Sequence, residues 1–131
     1  YRHSAFGENG GVVLWADMAL TPGDSGEIRR EMEELIRRRR EKQPLEYPSA
    51  GSTFKRPEGH YAAALIEQCG LKGTAVGGAM VSPKHAGFII NTGGASSADV
   101  LALIEKVQAE VLRQTGVKLE PEVRILRGLQ Q

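Results

Sequence analysis

Only one cysteine, Cys69, occurs in 131 residues. A single thiol cannot form an intrachain disulfide, so stability must come from packing and hydrogen bonding, and a reducing compartment such as the cytoplasm fits. Aromatic residues make up just 5% of the chain, which leaves little material for stacking nucleic-acid bases. No apolar run is long enough to span a bilayer, so membrane insertion is not expected. Neither sign of charge dominates: 17 Lys and Arg against 16 Asp and Glu leave a net charge of +1. That balance gives no global attraction to nucleic acid. Hydrophobic content of 40% and charged content of 25% suit one globular domain with a core.

What is present is a series of apolar patterns separated by turn signals. Residues 12–20 alternate loosely and predict a mostly buried strand. Thr21-Pro22-Gly23-Asp24 reads as a turn, after which Asp24 or Ser25 caps a helix reaching about Lys42. Ile28, Met32, Leu35 and Ile36 form an apolar stripe on it. Glu residues gather early and Arg late, as the helix dipole favours, and Pro44 ends it. A second helix is predicted over Glu58–Gln68, with Ala62, Leu65, Ile66 and Cys69 turned inward and Gly70 as the stop. Gly73–Gly78 lacks the Lys-Ser/Thr ending of a phosphate-binding loop. Residues 86–91 predict a buried strand. Ser96 with Asp99 reads as a capping box opening a third helix, which carries Val100, Leu103, Ile104, Val107 and Val111 inward and stops at Gly116. Leu119–Leu126 predicts a last strand. Strands and helices are interspersed without strict alternation, which points to an α+β fold.

The chemistry concentrates in Tyr47-Pro48-Ser49-Ala50-Gly51-Ser52-Thr53-Phe54-Lys55-Arg56-Pro57. Gly51-Ser52 offers a hydroxyl where a substrate can approach closely, and Lys55-Arg56 supplies positive charge for an anionic ligand. On the residues alone Ser52 reads as a turn cap beside glycine. Glu120 and Glu122 add carboxylates near the C-terminus. The Arg37–Arg40 run is balanced by Glu31, Glu33, Glu34 and Glu41 and reads as a solvated helix end. Contact of one or two of these cations with a phosphorylated small molecule is the other reading; nucleic-acid binding is not expected. The first residue is Tyr1 rather than Met, and a strand pattern follows soon after it. A C-terminal piece of a longer protein is expected.

Several segments in order resemble the UDP-N-acetylenolpyruvoylglucosamine reductase family: Tyr1-Arg2-x-Ser4, Tyr47–Pro57, Leu65-Ile66-Glu67 with Gly70-Leu71-Lys72-Gly73, Gly77-Gly78-Ala79, Val81-Ser82-x-Lys84-His85-Ala86, Asn91-Thr92-Gly93-Gly94, and Leu119–Arg124. The Tyr-Pro-Ser-Ala form of the loop is similar to the shorter, type II branch. The resemblance implies an enzyme in which NADPH reduces FAD, and the reduced flavin then reduces the enolpyruvyl group of UDP-N-acetylglucosamine enolpyruvate. The product is the UDP-N-acetylmuramate of peptidoglycan synthesis. It further implies a substrate-binding C-terminal domain, a small antiparallel sheet packed by about three helices. Residues 1–20 would end the FAD-binding domain, 21–118 would form the substrate domain, and 119–131 would return toward the N-terminal half.

The site residues are implied by the same resemblance. Ser52 matches the family's proton donor and Glu122 its active-site carboxylate. Tyr1 matches a substrate-contacting tyrosine, and Lys42 a lysine that meets the UDP moiety; on the residues alone Lys42 is equally a solvated helix end. Lys55 and Arg56 would face the diphosphate, with Arg56 standing where the family loop usually has Asn. His85 matches a polar substrate-contacting position. FAD would be held mainly by the N-terminal half of the same protein, and this chain alone would not turn over. The other reading is a non-catalytic nucleotide-sugar-binding module of the same fold.

Overall fold

A computed structural model describes residues 4–126. The chain divides into two compact units, one ending at Glu33 and the other beginning at Glu34. The first unit holds a short helix α1 (Ala5–Asn9) and an irregular stretch over residues 11–24. The strand predicted over residues 12–20 does not form. Val12, Leu14, Trp15 and Met18 are exposed, and no ladder partner occurs for them among the described residues. Alternation encodes a strand only where another strand supplies hydrogen bonds.

Helix α2 (Ser25–Lys42) starts as its sequence predicts. Asp24 Oδ1 accepts the amide of Glu27 at 2.8 Å, satisfying one of the orphan donors of the first turn. Its apolar stripe stays exposed, and the helix buries none of its residues. Pro44, fully buried, follows the end of the helix.

The second unit is built on a four-stranded antiparallel sheet in the order β1-β4-β3-β2. The strands are β1 (Ser49–Ser52), β2 (Ala75–Val76), β3 (Ala79–Val81) and β4 (Phe88–Asn91). Helix α3 (Ala62–Gln68) lies in sequence between β1 and β2, and α4 (Ser97–Thr115) follows β4. The core joins Leu65 and Ile66 of α3, Ala79 and Val81 of β3, and Leu103, Ile104, Val107 and Val111 of α4. The α+β expectation therefore holds.

Helix α3 begins four residues later than Glu58. The stretch after Pro57 is a turn, with Gly59 at φ +69°, and extended Tyr61 leads into the helix. The capping box of α4 forms in full: Ser96 Oγ accepts the amide of Asp99, and the Asp99 carboxylate accepts that of Ser96. Gly116 closes it at φ +72° with its amide on the carbonyl of Leu112.

The expected last strand is reduced to one antiparallel bridge, Phe54 with Pro121. Two flanking hydrogen bonds hold it: Lys55 N–H to Glu120 O and Glu122 N–H to Thr53 O, each 2.8 Å. Pro121 has no N–H with which to extend the ladder. Buried Leu119 anchors the segment to the core.

Candidate functional site

The register of β1 on β4 contains the feature that shapes the site. Ser49 pairs with Ile90 and Ser52 with Phe88. Ala50 and Gly51 therefore stand opposite the single residue Ile89, which is a β-bulge. Gly51 adopts φ +84° to accommodate it. A Cβ at Gly51 would have open space around it, so backbone conformation rather than crowding selects glycine here. The next residue, Ser52, resumes the pairing with Phe88 and is exposed. Its hydroxyl donates a long, weak hydrogen bond of 3.4 Å to the carbonyl of Phe54.

Ser52 lines a cleft of about 630 Å³ with Arg39, Gln43, Tyr47, Ser49, His85 and Phe88 among its walls. Arg39 donates through Nε to Gln43 Oε1 at 3.1 Å. The side chains of two neighbours in the arginine run are occupied elsewhere. Arg37 and Arg38 both hold Glu34, whose carboxyl is lowered to about 2, first by its bond to Arg37 and then by Arg38. Arg40 contributes its carbonyl to Lys84 Nζ at 2.7 Å. The run is thus a surface ion network, with Arg39 as the member that reaches the cleft.

His85 is placed by its loop. Buried Ser82 receives the amides of Lys84 and His85 on its hydroxyl oxygen, each at 3.2 Å. The imidazole Nδ1 accepts the amide of Gly87 at 3.1 Å, and the ring packs edge-on against Phe88 with centroids 4.9 Å apart. An accepting Nδ1 leaves the proton of the neutral ring on Nε2. A Cβ at Gly87 would come within 3.0 Å of the imidazole, so glycine here makes room for the ring. The Val-Ser-x-Lys-His segment was legible as a motif, but Ser82 as its organiser was not, because only the fold buries it.

The sequence-derived residues separate into two groups. Ser52 and His85 share the cleft; Glu122 does not line it, though its amide bonds to the carbonyl of Thr53, the residue after Ser52. Lys55 and Arg56 line a neighbouring recess of about 430 Å³ with His60, Lys118 and Glu120. There Lys55 pairs with Glu120 at 3.3 Å. Arg56 lies over the Tyr61 ring at 4.0 Å and donates to the carbonyl of His60. Both cations thus already have local partners, and neither lines the Ser52 cleft. Lys42 is exposed at the end of α2. Tyr1 lies outside the described residues.

Two further groups have structural roles. Burial pushes the Cys69 thiol up, the opposite of what a nucleophilic cysteine needs. Gly77 and Gly78 turn the β2–β3 hairpin against the start of α4: a Cβ at Gly77 would meet the Asp99 carboxylate at 2.5 Å, and one at Gly78 would meet the backbone of Gly93 and Ala95 at 2.5 Å. Glycine at both positions is thus required by close packing. No group of His, Cys, Asp and Glu able to hold a metal ion occurs among the described residues. No helix among them is long and apolar enough to cross a membrane.

Comparison with known proteins agrees with this architecture. Over residues 43–126 the chain matches the family model described as UDP-N-acetylenolpyruvoylglucosamine reductase, C-terminal domain. It is 59% identical over 126 residues to the UDP-N-acetylenolpyruvoylglucosamine reductase of Agathobacter rectalis, covering 96% of this chain and 40% of that protein. Identity to the protein of the same name from Clostridium novyi is 60%, covering 96% of this chain and 41% of the relative. The crystal structure of UDP-N-acetylenolpyruvylglucosamine reductase from Thermus caldophilus superposes with a TM-score of 0.67 at 40% identity, covering 81% of this chain and 37% of that one. The chain thus spans about 40% of the length of the relatives it matches. With its sheet, its capped α4 and its Ser52 loop all inside or overlapping the matched region, the chain belongs to the family of UDP-N-acetylenolpyruvoylglucosamine reductase C-terminal domains.

Proposed function

We propose that this chain is the substrate-binding part of a UDP-N-acetylenolpyruvoylglucosamine reductase that acts in cytoplasmic peptidoglycan synthesis. The observation that carries the reading is the bulge at Gly51, which holds the Ser52 hydroxyl at a cleft shared with His85 and Arg39. FAD and NADPH belong, in this reading, to the upstream half of the protein, which supplies the hydride. What this chain supplies is recognition and a proton.

Ser52 delivers its hydroxyl proton to the substrate carbon next to the carboxylate. A neutral donor suits that task, because it brings no negative charge toward an anionic substrate before the proton moves. Glu122 assists from the adjoining segment as the carboxyl that polarises the enolpyruvyl group. His85 Nε2–H and Arg39 offer donors to the phosphate and sugar oxygens. Tyr1, Lys42, Lys55 and Arg56 are assigned to the outer part of the nucleotide path.

The test is reconstitution. This chain, mixed or co-expressed with the upstream flavin-binding half, should oxidise NADPH only when UDP-N-acetylglucosamine enolpyruvate is present. A flavinated complex that ignores that substrate would instead favour a nucleotide-sugar-binding module without catalysis.

A further inference from the structure

Thr53 is nearly fully buried, at 3% exposure, and its polar groups are committed to two other segments, the one around β4 and the one around Glu122. Its amide donates to the carbonyl of Gly87 at 2.8 Å. Its carbonyl accepts the amide of Glu122 at 2.8 Å. Its hydroxyl oxygen accepts the amide of Ile89 at 3.1 Å. Ile89 is the residue that faces the extra residue of the bulge. A bulge interrupts the ladder locally, and a buried amide with no acceptor is costly. The Thr53 hydroxyl supplies the acceptor that the interrupted strand does not.

We infer that Thr53 is a positioning residue for Ser52: its hydroxyl closes the bulge on Ile89, and its backbone fixes the Ser52 and Glu122 segments to each other. The consequence for catalysis rests on the proton-donor reading of Ser52; the closing of the bulge does not. Valine has nearly the shape of threonine and no acceptor, while serine keeps the acceptor and loses a methyl group.

Two experiments separate the layers. In the full-length reductase, the Ile89 amide proton resonance should move upfield in Thr53→Val, with Ser52 and Gly51 shifted too, and should keep its wild-type position in Thr53→Ser. In the full-length reductase, Thr53→Val should slow the substrate half-reaction about 10- to 100-fold, the scale of a misplaced reacting group. It should leave flavin reduction by NADPH unchanged, and Thr53→Ser should stay within about 3-fold of wild type, the scale of a modest packing change. Added to Ser52→Ala, Thr53→Val should slow the reaction no further, because it acts through Ser52. An unmoved Ile89 resonance in Thr53→Val, or a Thr53→Ser variant as slow as Thr53→Val, overturns the inference. The serine variant decides the matter even where the valine variant fails to fold. If Ser52→Ala leaves the substrate half-reaction intact, the proton-donor reading fails while the Ile89 result still decides the bulge.

Discussion

The amide of Glu122 donates to the carbonyl of Thr53 at 2.8 Å. That single bond brings together two segments nearly seventy residues apart in sequence, and it sets a carboxylate-bearing residue beside the loop that carries Ser52. Its neighbours are a bridge through Pro121 and a second bond through Glu120. The contact is short in residues, so the position of Glu122 depends on few interactions.

Glu122 offers a direct comparison. If Glu122 polarises the enolpyruvyl group through a hydrogen bond, Glu122→Gln in the full-length reductase should retain more activity than Glu122→Ala, because the amide can still make one. Steady-state kcat for the two variants tests this. Equal losses would remove that role.

Gly51 should tolerate no side chain despite the open space around it. Its φ of +84° costs an L residue roughly 1–2 kcal/mol, so Gly51→Ala should lower unfolding stability by about that amount. Were the backbone compatible with alanine, the same change would stabilise by about 0.4–1 kcal/mol through the unfolded state. Urea unfolding therefore reads the sign as well as the size.

Arg39 and Arg56 should differ in the full-length enzyme. Arg39 reaches the Ser52 cleft, whereas Arg56 is engaged with Tyr61 and His60. Loss of a charge-assisted bond to phosphate corresponds to roughly tenfold or more in affinity. Arg39→Gln should raise KM on that scale, and Arg56→Ala by less. The reverse order would move the diphosphate into the Lys55–Arg56 recess.

The start of α4 should be sensitive to acid. Bonds from Ser96, backbone first and then side chain, with a smaller contribution from the Gly78 amide, hold the Asp99 carboxyl below its ordinary value. A depressed native value means the unfolded chain binds the proton more readily. The stabilisation is therefore complete above the ordinary carboxyl value of about 3.9 and disappears as the pH falls through the lower native value. Glu34, Glu46 and Glu110 shift in the same direction, so the Asp99 share is read as the difference from Asp99→Asn. Unfolding curves of the two chains should converge in strong acid and separate at neutral pH. Ser96→Ala should cost about 1 kcal/mol as a lost N-cap.

What could be read from the sequence was local or periodic. The capping box at Ser96 and Asp99, the Gly116 stop and the inward residues of α4 follow from short spacings that do not need the rest of the fold. The stretch Ser49–Ser52 read as loop because Pro48 precedes it and Gly51 lies within it. It becomes a strand only through its pairing with β4, a partner some forty residues away. Residues 12–20 failed in the opposite sense, since their pattern asks for a partner strand that the described residues do not provide. The loop around Ser52 was identified through its resemblance to a family, not through chemistry that spacing could reveal. Its glycine was read as giving access to substrate; its structural task is the bulge. Thr53 and Ser82 were passed over because a buried hydroxyl and an exposed one look alike in a sequence.

The most direct measurement is a pair of half-reactions in the full-length reductase carrying Ser52→Ala. Flavin reduction by NADPH and flavin reoxidation by UDP-N-acetylglucosamine enolpyruvate are followed separately by stopped flow. A lost general acid should slow reoxidation by roughly 10²- to 10⁴-fold and leave flavin reduction near wild type. Equal slowing of both steps, or no slowing of reoxidation, would contradict the assignment of Ser52 as the proton donor.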